Sequence, residues 1–444
     1  MKPELESLRL RDFFICFREQ VLAFWLLCFY ILLEYIRPQV MYPVLNFLPW
    51  GMVAILSCMI SAILLREKKT DLNSLDLTFI LFSIVTAFSI VFAWDTGLAL
   101  KKVTTIISWL ILYYCVKRIV TTPNRIMIFI IFFLIFNFKL SQHGARSFAS
   151  RGFTFAQYGL TGSPGWFQNS GEFSLQMVVM FSFSYSLLTG LKKYVKSLKR
   201  WWVLMFLFPG TAALTIIGAS SRGGQLALLI VIFLILLKDK KQLLKYVFLM
   251  SIVAFGAVEL LPQEQKERFT TMGEDETSQL RFKHWEAALV TIEKEPMGIG
   301  YSNWSKYYPA NFDIPSSEVE VIHNTVLQAY VELGHIGGFI FLLLIVITLS
   351  MNRNTYKELI NIGNPDSDFL AHIASGLNLG LIGAFIASMF MSILWYPVFW
   401  LAFCSTSALR NIAISYRKNE ISLDFERNDI KSAFLKMENR KWKN

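Results

Sequence analysis

The chain has 444 residues, of which 54% are hydrophobic and only 17% are charged, and its formal net charge is +11. Soluble chains carry about 25% charged residues, so this composition excludes an ordinary soluble domain and indicates that apolar surface faces lipid. The positive charge does not indicate nucleic-acid binding, because the basic residues alternate with the apolar segments along the chain.

Apolar segments recur along the chain at close to the length that crosses a bilayer as a helix, about 20 residues. They predict membrane spans at 20–36, 45–65, 75–94, 103–119, 125–140, 173–190, 201–218, 223–238, 243–261, 325–349, 369–391 and 393–410. The first segment runs into Glu34-Tyr35-Ile36-Arg37-Pro38 rather than a small-residue cleavage site, which predicts a retained span and not a signal peptide. The predicted fold class is an all-α integral membrane protein with about 12 transmembrane helices.

The distribution of Lys and Arg predicts the orientation of these spans. If the N-terminus is cytoplasmic, most of the 43 basic residues fall in cytoplasmic segments, as the positive-inside rule requires. The basic runs at 192–200 and 238–241 carry the most weight. The sequence therefore predicts a multi-pass membrane protein with both termini in the cytoplasm.

The spans and the polar segments between them divide the chain into five regions. These are helices 1 to 5 at 1–140, a periplasmic loop with helices 6 to 9 at 141–261, a second periplasmic loop at 262–322, helices 10 to 12 at 323–410, and a basic cytoplasmic tail at 411–444. The second loop contains a predicted helix from Gln279 to Lys294, and loops of this length often act as lids or binding elements. Its cations oppose the orientation signal, which favours a functional role for them.

The first candidate site is Ser220-Ser221-Arg222-Gly223-Gly224, which joins two predicted spans at the outer boundary. The glycines allow close approach of the backbone to a ligand, and the start of the following helix offers free amides to an anion. The guanidinium of Arg222 adds a fork of donors that suits phosphate oxygens. Phosphate binding is the favoured hypothesis, and an arginine that snorkels from a tight turn is the structural alternative.

The second candidate lies on the predicted loop helix, where Arg281 and Trp285 are four residues apart and share one face. With Lys283 and His284 beside them, this face could close over a charged lipid headgroup. A solvated amphipathic helix on the membrane surface would show the same pattern. The presence of Arg222 favours the first hypothesis.

The third candidate is His323-Asn324, which begins the tenth predicted span. Gly334 follows eleven residues later, about three helical turns on and so on the same stripe. A neighbouring helix could pack along Gly334 and Gly337 and place His323 at the outer interface. Histidine suits removal of a proton from a sugar hydroxyl because its ordinary pKa is near neutrality, and a capping or interface histidine is the alternative.

Glu332 lies in the same predicted span. A carboxylate within a membrane span is a functional candidate, but an internal pair with His335 explains it equally well. The five cysteines lack the spacing of a metal site or a disulfide framework, and no nucleotide-binding loop or Ser/His/Asp arrangement is recognisable. The sequence therefore predicts no cofactor.

Four segments together resemble the O-antigen ligase and polymerase superfamily of bacterial membrane glycosyltransferases. They are SSRGG, RFKHW, EPMGIGYSNW and HNTVLQAYVELGHIGG. The last matches the ligase pattern His-Asn, nine residues, Gly, two residues, Gly at His323-Asn324, Gly334 and Gly337. The resemblance is specific from about residue 145 to 350. A looser match at 165–172 assigns no role to Arg146, Arg151, Asn169 or Glu172.

The resemblance implies a C-type glycosyltransferase-like bundle with a large helical periplasmic loop. It implies inverting transfer of a glycan from undecaprenyl diphosphate to a lipid A-core acceptor at the periplasmic face, without nucleotide or metal. By the family pattern, Arg222 and Arg281 bind the diphosphate and His323 activates the acceptor hydroxyl. Asn324, Glu332, Gly223, Gly334 and Gly337 are the supporting positions.

Three alternatives to a ligase stay open at the level of sequence. A polymerase that joins repeat units would share the donor and the mechanism. A lipid-linked polysaccharide transporter would use the same arginines only to bind a diphosphate during passage, although the spans show no obvious twofold repeat. A non-catalytic assembly scaffold is the third alternative.

Overall fold

The computed structural model describes residues 18–65, 71–154, 159–191, 206–237, 276–312 and 321–418. Within these ranges the chain is helical and contains no strand. The helices are α1 Leu22–Tyr35, α2 Pro38–Met41, α3 Trp50–Leu64, α4 Ser74–Val91, α5 Thr96–Ile119, α6 Pro123–Ser150, α7 Ser170–Leu191, α8 Leu207–Gly218, α9 Arg222–Leu236, α10 Glu276–Lys294, α11 Trp304–Asn311, α12 Thr325–Ile360, α13 Pro365–Ser388 and α14 Pro397–Lys418.

Seven of these helices, α4, α5, α6, α7, α12, α13 and α14, are long and apolar enough to cross a membrane. Four shorter apolar helices, α1, α3, α8 and α9, accompany them. All the predicted spans except one thus coincide with apolar helices, and the remaining one, at 243–261, lies outside the described residues. The helical integral membrane fold is confirmed, and the count of about twelve spans stays a prediction. The predicted loop helix is present as α10.

Helix α6 is longer than the sequence predicts, because it continues to Ser150 instead of ending near residue 140. Its last turns are held by α8: Thr215 Oγ1 donates to the carbonyl of Ser141 at 2.8 Å. Gly144 faces the same threonine, and a Cβ at Gly144 would lie 2.5 Å from the Thr215 methyl group. The loop predicted to start at residue 141 therefore starts ten residues later.

Helices α7 and α13 are among the most buried spans and pack directly against each other. Small residues allow this close approach. Cβ atoms at Gly376 and Gly383 of α13 would lie 3.0 Å from the side chain of Phe183 and 2.5 Å from that of Val178, both on α7. In a lipid environment, where the hydrophobic effect does not drive helices together, such close packing is a main source of association.

The bundle has two ends that carry different polar residues. Asp76 lies near the start of α4, and Trp94 follows the end of this 18-residue helix, which spans about 27 Å. The amide of Trp94 donates to the carbonyl of Ile299 at 2.9 Å, which places the 296–300 turn at the far end of α4. We call the end of the bundle that contains Asp76 the Asp76 end. The opposite end is called the His323 end, because His323 lies just before α12, the helix that the 296–300 turn contacts.

Candidate active site at the His323 end

Helix α10 brings the three main candidate residues to one region. Arg222 donates to the hydroxyl of Ser278 at 3.4 Å, and Arg281 lies one turn further along α10. After another turn comes His284, whose ring centroid lies 6.3 Å from that of His323. The path from Ser278 to His284 covers about 9 Å along the helix axis. Arg222 and His323 thus flank the position of Arg281, while the roles assigned to all three stay predictions.

The turn before α9 presents Arg222 as the first residue of that helix. Ser221 caps the helix, since its hydroxyl accepts from the amide of Gly224 at 3.4 Å. A Cβ at Gly223 would lie 2.9 Å from the ring of Phe390, and one at Gly224 would lie 1.9 Å from the hydroxyl of Ser174. The glycines therefore allow neighbouring side chains of the bundle to pack closely, and the approach of a ligand to their backbone stays a prediction. Arg222 itself is half-buried beside the positive end of the α9 dipole.

His323 lies two residues before the first residue of α12, in a left-handed backbone conformation with φ of 57°. Its amide donates to the hydroxyl of Ser392 at 2.9 Å. Asn324 caps the helix, because its Oδ1 accepts from the amides of Val326 and Leu327, each at 3.0 Å. The structure thus gives Asn324 a structural role and fixes the backbone from which the half-buried imidazole of His323 projects.

The first turns of α12 are bonded to the segment 391–396, which connects α13 to α14. The hydroxyl of Thr325 donates to a carbonyl of this segment at 2.7 Å and accepts from one of its amides at 3.1 Å. Gln328 accepts from another amide at 3.2 Å. Together with the contact between His323 and Ser392, these bonds hold the start of α12 in one position.

Glu332 adds a further hydrogen bond between α12 and the 391–396 segment. Its carboxylate, 3% exposed, accepts from Gln328 Nε2 at 3.0 Å and from Trp395 Nε1 at 2.7 Å. His335 is exposed, and its ring centroid lies 6.3 Å from that of Tyr330. The internal pair between Glu332 and His335 that the sequence suggested is therefore not formed, and Glu332 instead links α12 to the 391–396 segment.

Gly334 breaks α12, with φ of 70° and ψ of −173°. The break frees two carbonyls, those of Val331 and Glu332, which accept from amides of the 296–300 turn at 2.9 and 3.1 Å. A Cβ at Gly334 would lie 2.5 Å from the carbonyl oxygen of Pro296. The expectation that a helix packs along Gly334 is wrong, because the 296–300 turn occupies this position. Gly337 does approach a neighbouring helix, at Val85 of α4.

A second polar connection joins α7 to the same segment. Glu172 at the start of α7 accepts from the hydroxyl of Tyr396 at 2.6 Å and from the amide of Asn169 at 3.3 Å. Burial, and secondly the neighbouring carboxylate, raise the pKa of Tyr396 well above its usual value, so this hydroxyl remains a donor. Arg146 and Arg151 are exposed near the end of α6.

Three residues of this region were not predicted as site residues: His284, Ser392 and Trp395. The spacing of three residues from Arg281 is a signal for His284, because residues three apart are neighbours on a helix surface. Ser392 lies at the predicted boundary between two spans and Trp395 lies inside the span predicted at 393–410, and no local pattern marks either residue. Two cations of the loop predicted at 262–322, Lys266 and Arg268, lie outside the described residues.

The fold and the site define a helical integral membrane protein with two half-buried arginines and a histidine gathered at one end of the bundle. Residues 204–342 match a family model described as O-antigen ligase, a segment that contains Arg222, Arg281 and His323. The match covers less than half of the chain and confirms its resemblance to the O-antigen ligase and polymerase superfamily. A comparison with curated proteins found no match.

Proposed function

We propose that the protein is a membrane glycosyltransferase of the O-antigen ligase type. It moves a glycan from undecaprenyl diphosphate to a lipid A-core acceptor at the periplasmic face. The observation that carries this proposal is the arrangement along α10, where Arg222 and His323 contact residues on either side of Arg281. This arrangement supports the proposal that two cations and one base act on a single headgroup.

In the proposed reaction, Arg222 and Arg281 bind the diphosphate of the donor. Guanidinium groups form charge-assisted hydrogen bonds to phosphate oxygens, and they stabilise the charge that develops as the diphosphate departs. His323 removes the proton of the acceptor hydroxyl, whose oxygen forms a bond to the anomeric carbon. The bond from this carbon to the diphosphate oxygen breaks on the opposite face, and its electron pair leaves with the diphosphate, so the configuration inverts.

The surroundings of His323 support its role as the base. The cap at Asn324 and the bond from the His323 amide to Ser392 fix the backbone, and the network through Glu332 fixes the 391–396 segment in turn. A base held by its supporting structure needs no reorganisation when the substrate arrives.

The basic runs at 192–200 and 238–241 support the proposed orientation, because they follow α7 and α9 in the sequence and both helices begin at the His323 end, near Glu172 and Arg222. Lys117 and Arg118, at the end of α5, and Arg125, near the start of α6, lie at the Asp76 end. By the positive-inside rule this end is cytoplasmic, and the His323 end then faces the periplasm.

The test is glycan transfer in liposomes that contain the purified protein, a lipid-linked glycan and lipid A-core. Arg222→Ala, Arg281→Ala and His323→Ala are compared with matched controls, Arg146→Ala and His335→Ala, which remove an exposed arginine and an exposed histidine. We expect His323→Ala to lower the transfer rate roughly 10²- to 10⁴-fold, as is typical for loss of a general base. The two arginine variants should also retain less lipid-linked donor in a binding assay, and the controls should transfer at the wild-type rate.

The products separate the alternatives. Histidine-dependent coupling to lipid A-core supports the ligase, whereas lengthening of the lipid-linked glycan without the core would assign the protein as a polymerase, which the family match fits equally well. Transfer by His323→Ala at the wild-type rate would contradict the proposed mechanism. Passage of donor across the bilayer without any glycosidic product would replace it with transport.

A further inference from the structure

Two of the five histidines in the chain, His284 and His323, lie next to each other although they come from different elements. His284 belongs to α10 and His323 precedes α12, and their ring planes are inclined at 50°. The proposed reaction uses only His323. The position of the second imidazole therefore calls for its own explanation.

The side chain of His284 is held in a rigid aromatic environment. It is 2% exposed, and its ring centroid lies 5.2 Å from that of Tyr308 on α11. Tyr308 is itself stacked on Trp304, with 4.7 Å between the ring centroids. On its own helix, His284 is followed by the buried Ala287 and Ala288. An imidazole packed in this way has a fixed direction, which a positioning group needs.

Within the part of the chain that the structure describes, burial and the charged groups near the two rings favour a neutral His284. Arg281 lies one turn before it on α10, and Arg222 contacts Ser278 another turn back. Tyr308 is the group that faces it from α11, and Glu332 further along α12 is bonded by Gln328 and Trp395. Burial and nearby positive charge both disfavour a second positive charge on His284. The same arginines disfavour protonation of His323, so a base at this position benefits from a neutral acceptor beside it.

We propose that His284 is a positioning residue for His323. In this arrangement, one ring nitrogen of His323 faces the acceptor hydroxyl and the other donates its proton to a nitrogen of neutral His284. This bond fixes the tautomer of His323, and it stabilises the imidazolium that forms when His323 takes the proton of the acceptor hydroxyl. That proton stays on His323, and none passes to His284, as in the triad logic of a base oriented by a third group.

The separation of 6.3 Å between the ring centroids suits this role in a substrate-free structure. Catalytic hydrogen bonds are often long before the substrate binds and shorten in the substrate complex. One bridging water or a small rotation of the His323 side chain would join the two rings. The inference rests on the proposed function, because it assigns His284 to the base of that reaction.

The test compares His284→Phe and His284→Gln in the full-length protein in liposomes, with His143→Phe, at an exposed position on α6, as the control. His284→Phe keeps a ring against Tyr308 but removes both nitrogens, whereas His284→Gln keeps a neutral acceptor. We expect His284→Phe to lower kcat roughly 10- to 100-fold, the usual cost of losing the outer partner of a functional side chain, with little change in the KM for the donor. The acidic limb of its pH–rate profile should move to lower pH by roughly one unit, because the imidazolium of His323 loses its acceptor.

His284→Gln should recover part of both effects, which a merely structural role would not predict. An NMR titration of protein carrying ¹³C-labelled histidine measures the same shift in His323 without turnover. If the His323 titration and the acidic limb are unchanged in His284→Phe, the inference is wrong. If wild-type protein transfers no glycan to any acceptor, the proposed function fails, and the NMR titration still shows whether the two histidines are coupled.

Discussion

The two ends of the bundle differ in how deeply their charged side chains are buried. At the Asp76 end, a carboxylate that is 2% exposed pairs with Lys117 and accepts from the hydroxyls of Tyr113 and Ser407 at 2.7 and 2.6 Å. At the His323 end, Arg222 donates to the neutral hydroxyl of Ser278, and Arg222, Arg281 and His323 are all half-buried. The buried Asp76 network serves the fold, whereas the half-buried side chains of the His323 end keep part of their surface accessible to a ligand.

The largest effect on stability should come from the Asp76 end. Replacement Lys117→Met keeps most of the side-chain volume but leaves Asp76 buried without its cation. We expect a loss of about 3–5 kcal/mol in the free energy of unfolding, the usual cost of removing one partner of a buried pair. The measurement is unfolding in detergent, together with glycan transfer per folded molecule, which should stay unchanged.

The control is Lys306→Met, which removes the cation of an ion pair with Asp95 that is largely exposed. Exposed pairs contribute little, so this variant should unfold almost as the wild type does. Equal destabilisation by the two substitutions would contradict the contrast between a neutralised structural network and a surface pair.

The next largest effect on stability should come from the contact between Gly334 and the 296–300 turn. Replacement Gly334→Ala adds a Cβ 2.5 Å from the carbonyl oxygen of Pro296 at a position with φ of 70°. We expect a loss of roughly 1–3 kcal/mol from backbone strain and overpacking, and a lower transfer rate because the 296–300 turn and α12 can no longer fit together. Unfolding and transfer are measured on the same preparation.

Gly363→Ala is a matched control, since Gly363 has a similar φ of 74° and its added Cβ would meet nothing within 4 Å. This variant places a side chain at a positive φ without the steric conflict. If both variants were equally destabilised, with transfer intact, the close contact between Gly334 and the 296–300 turn would contribute nothing to stability or to transfer.

The same connection shows where prediction from the sequence ends. Apolar periodicity locates the spans because the membrane imposes it on each segment separately, and α10 is equally recognisable as a local pattern. Apolar periodicity does not reveal that Gly334 breaks α12. The carbonyls that the break leaves unbonded accept from the amides of residues 299 and 300, more than thirty positions earlier in the chain. A stripe calculated over an unbroken helix was therefore a poor guide to what packs on Gly334.

The candidate site likewise has a part that the sequence predicts and a part that it does not. Arg222, Arg281 and His323 are recognisable from motifs, and the structure brings their segments together. The partners that hold the site are not recognisable, because Glu332 is joined to Trp395, 63 residues away, and His284 meets His323 only through the packing of α10 against α12. Hydrogen bonds of this kind depend on tertiary structure, and a local pattern carries no record of them.

A smaller effect should follow from Glu332→Gln, which keeps the shape of the side chain and removes its charge. The amide oxygen still accepts from Trp395, but its NH₂ group then faces a donor of Gln328, and Gln328 cannot turn without leaving the amide of Leu394 without its acceptor. We expect a loss of about 1 kcal/mol in stability and a decrease of a few-fold in transfer. Unfolding and steady-state transfer report these two effects, and a decrease as large as that of His323→Ala would instead assign Glu332 to the reaction itself.

The smallest effect lies at the surface of the His323 end, where Asp95 caps α5 and pairs with Lys306 of α11. The bond from Lys306, and then the amide of Leu98, lower the pKa of Asp95 below its usual value near 4. A carboxyl whose pKa is lower in the folded than in the unfolded protein stabilises the fold above about pH 4, and this contribution is lost as the pH falls through the folded pKa. The wild type should therefore lose more stability than Asp95→Asn between pH 5 and pH 3, less so at high salt because the pair is exposed. This window lies below the range in which an unperturbed histidine titrates, so loss of transfer between pH 7 and pH 5 would not come from release of α11. An Asp95→Asn variant with a displaced acidic limb would contradict that separation.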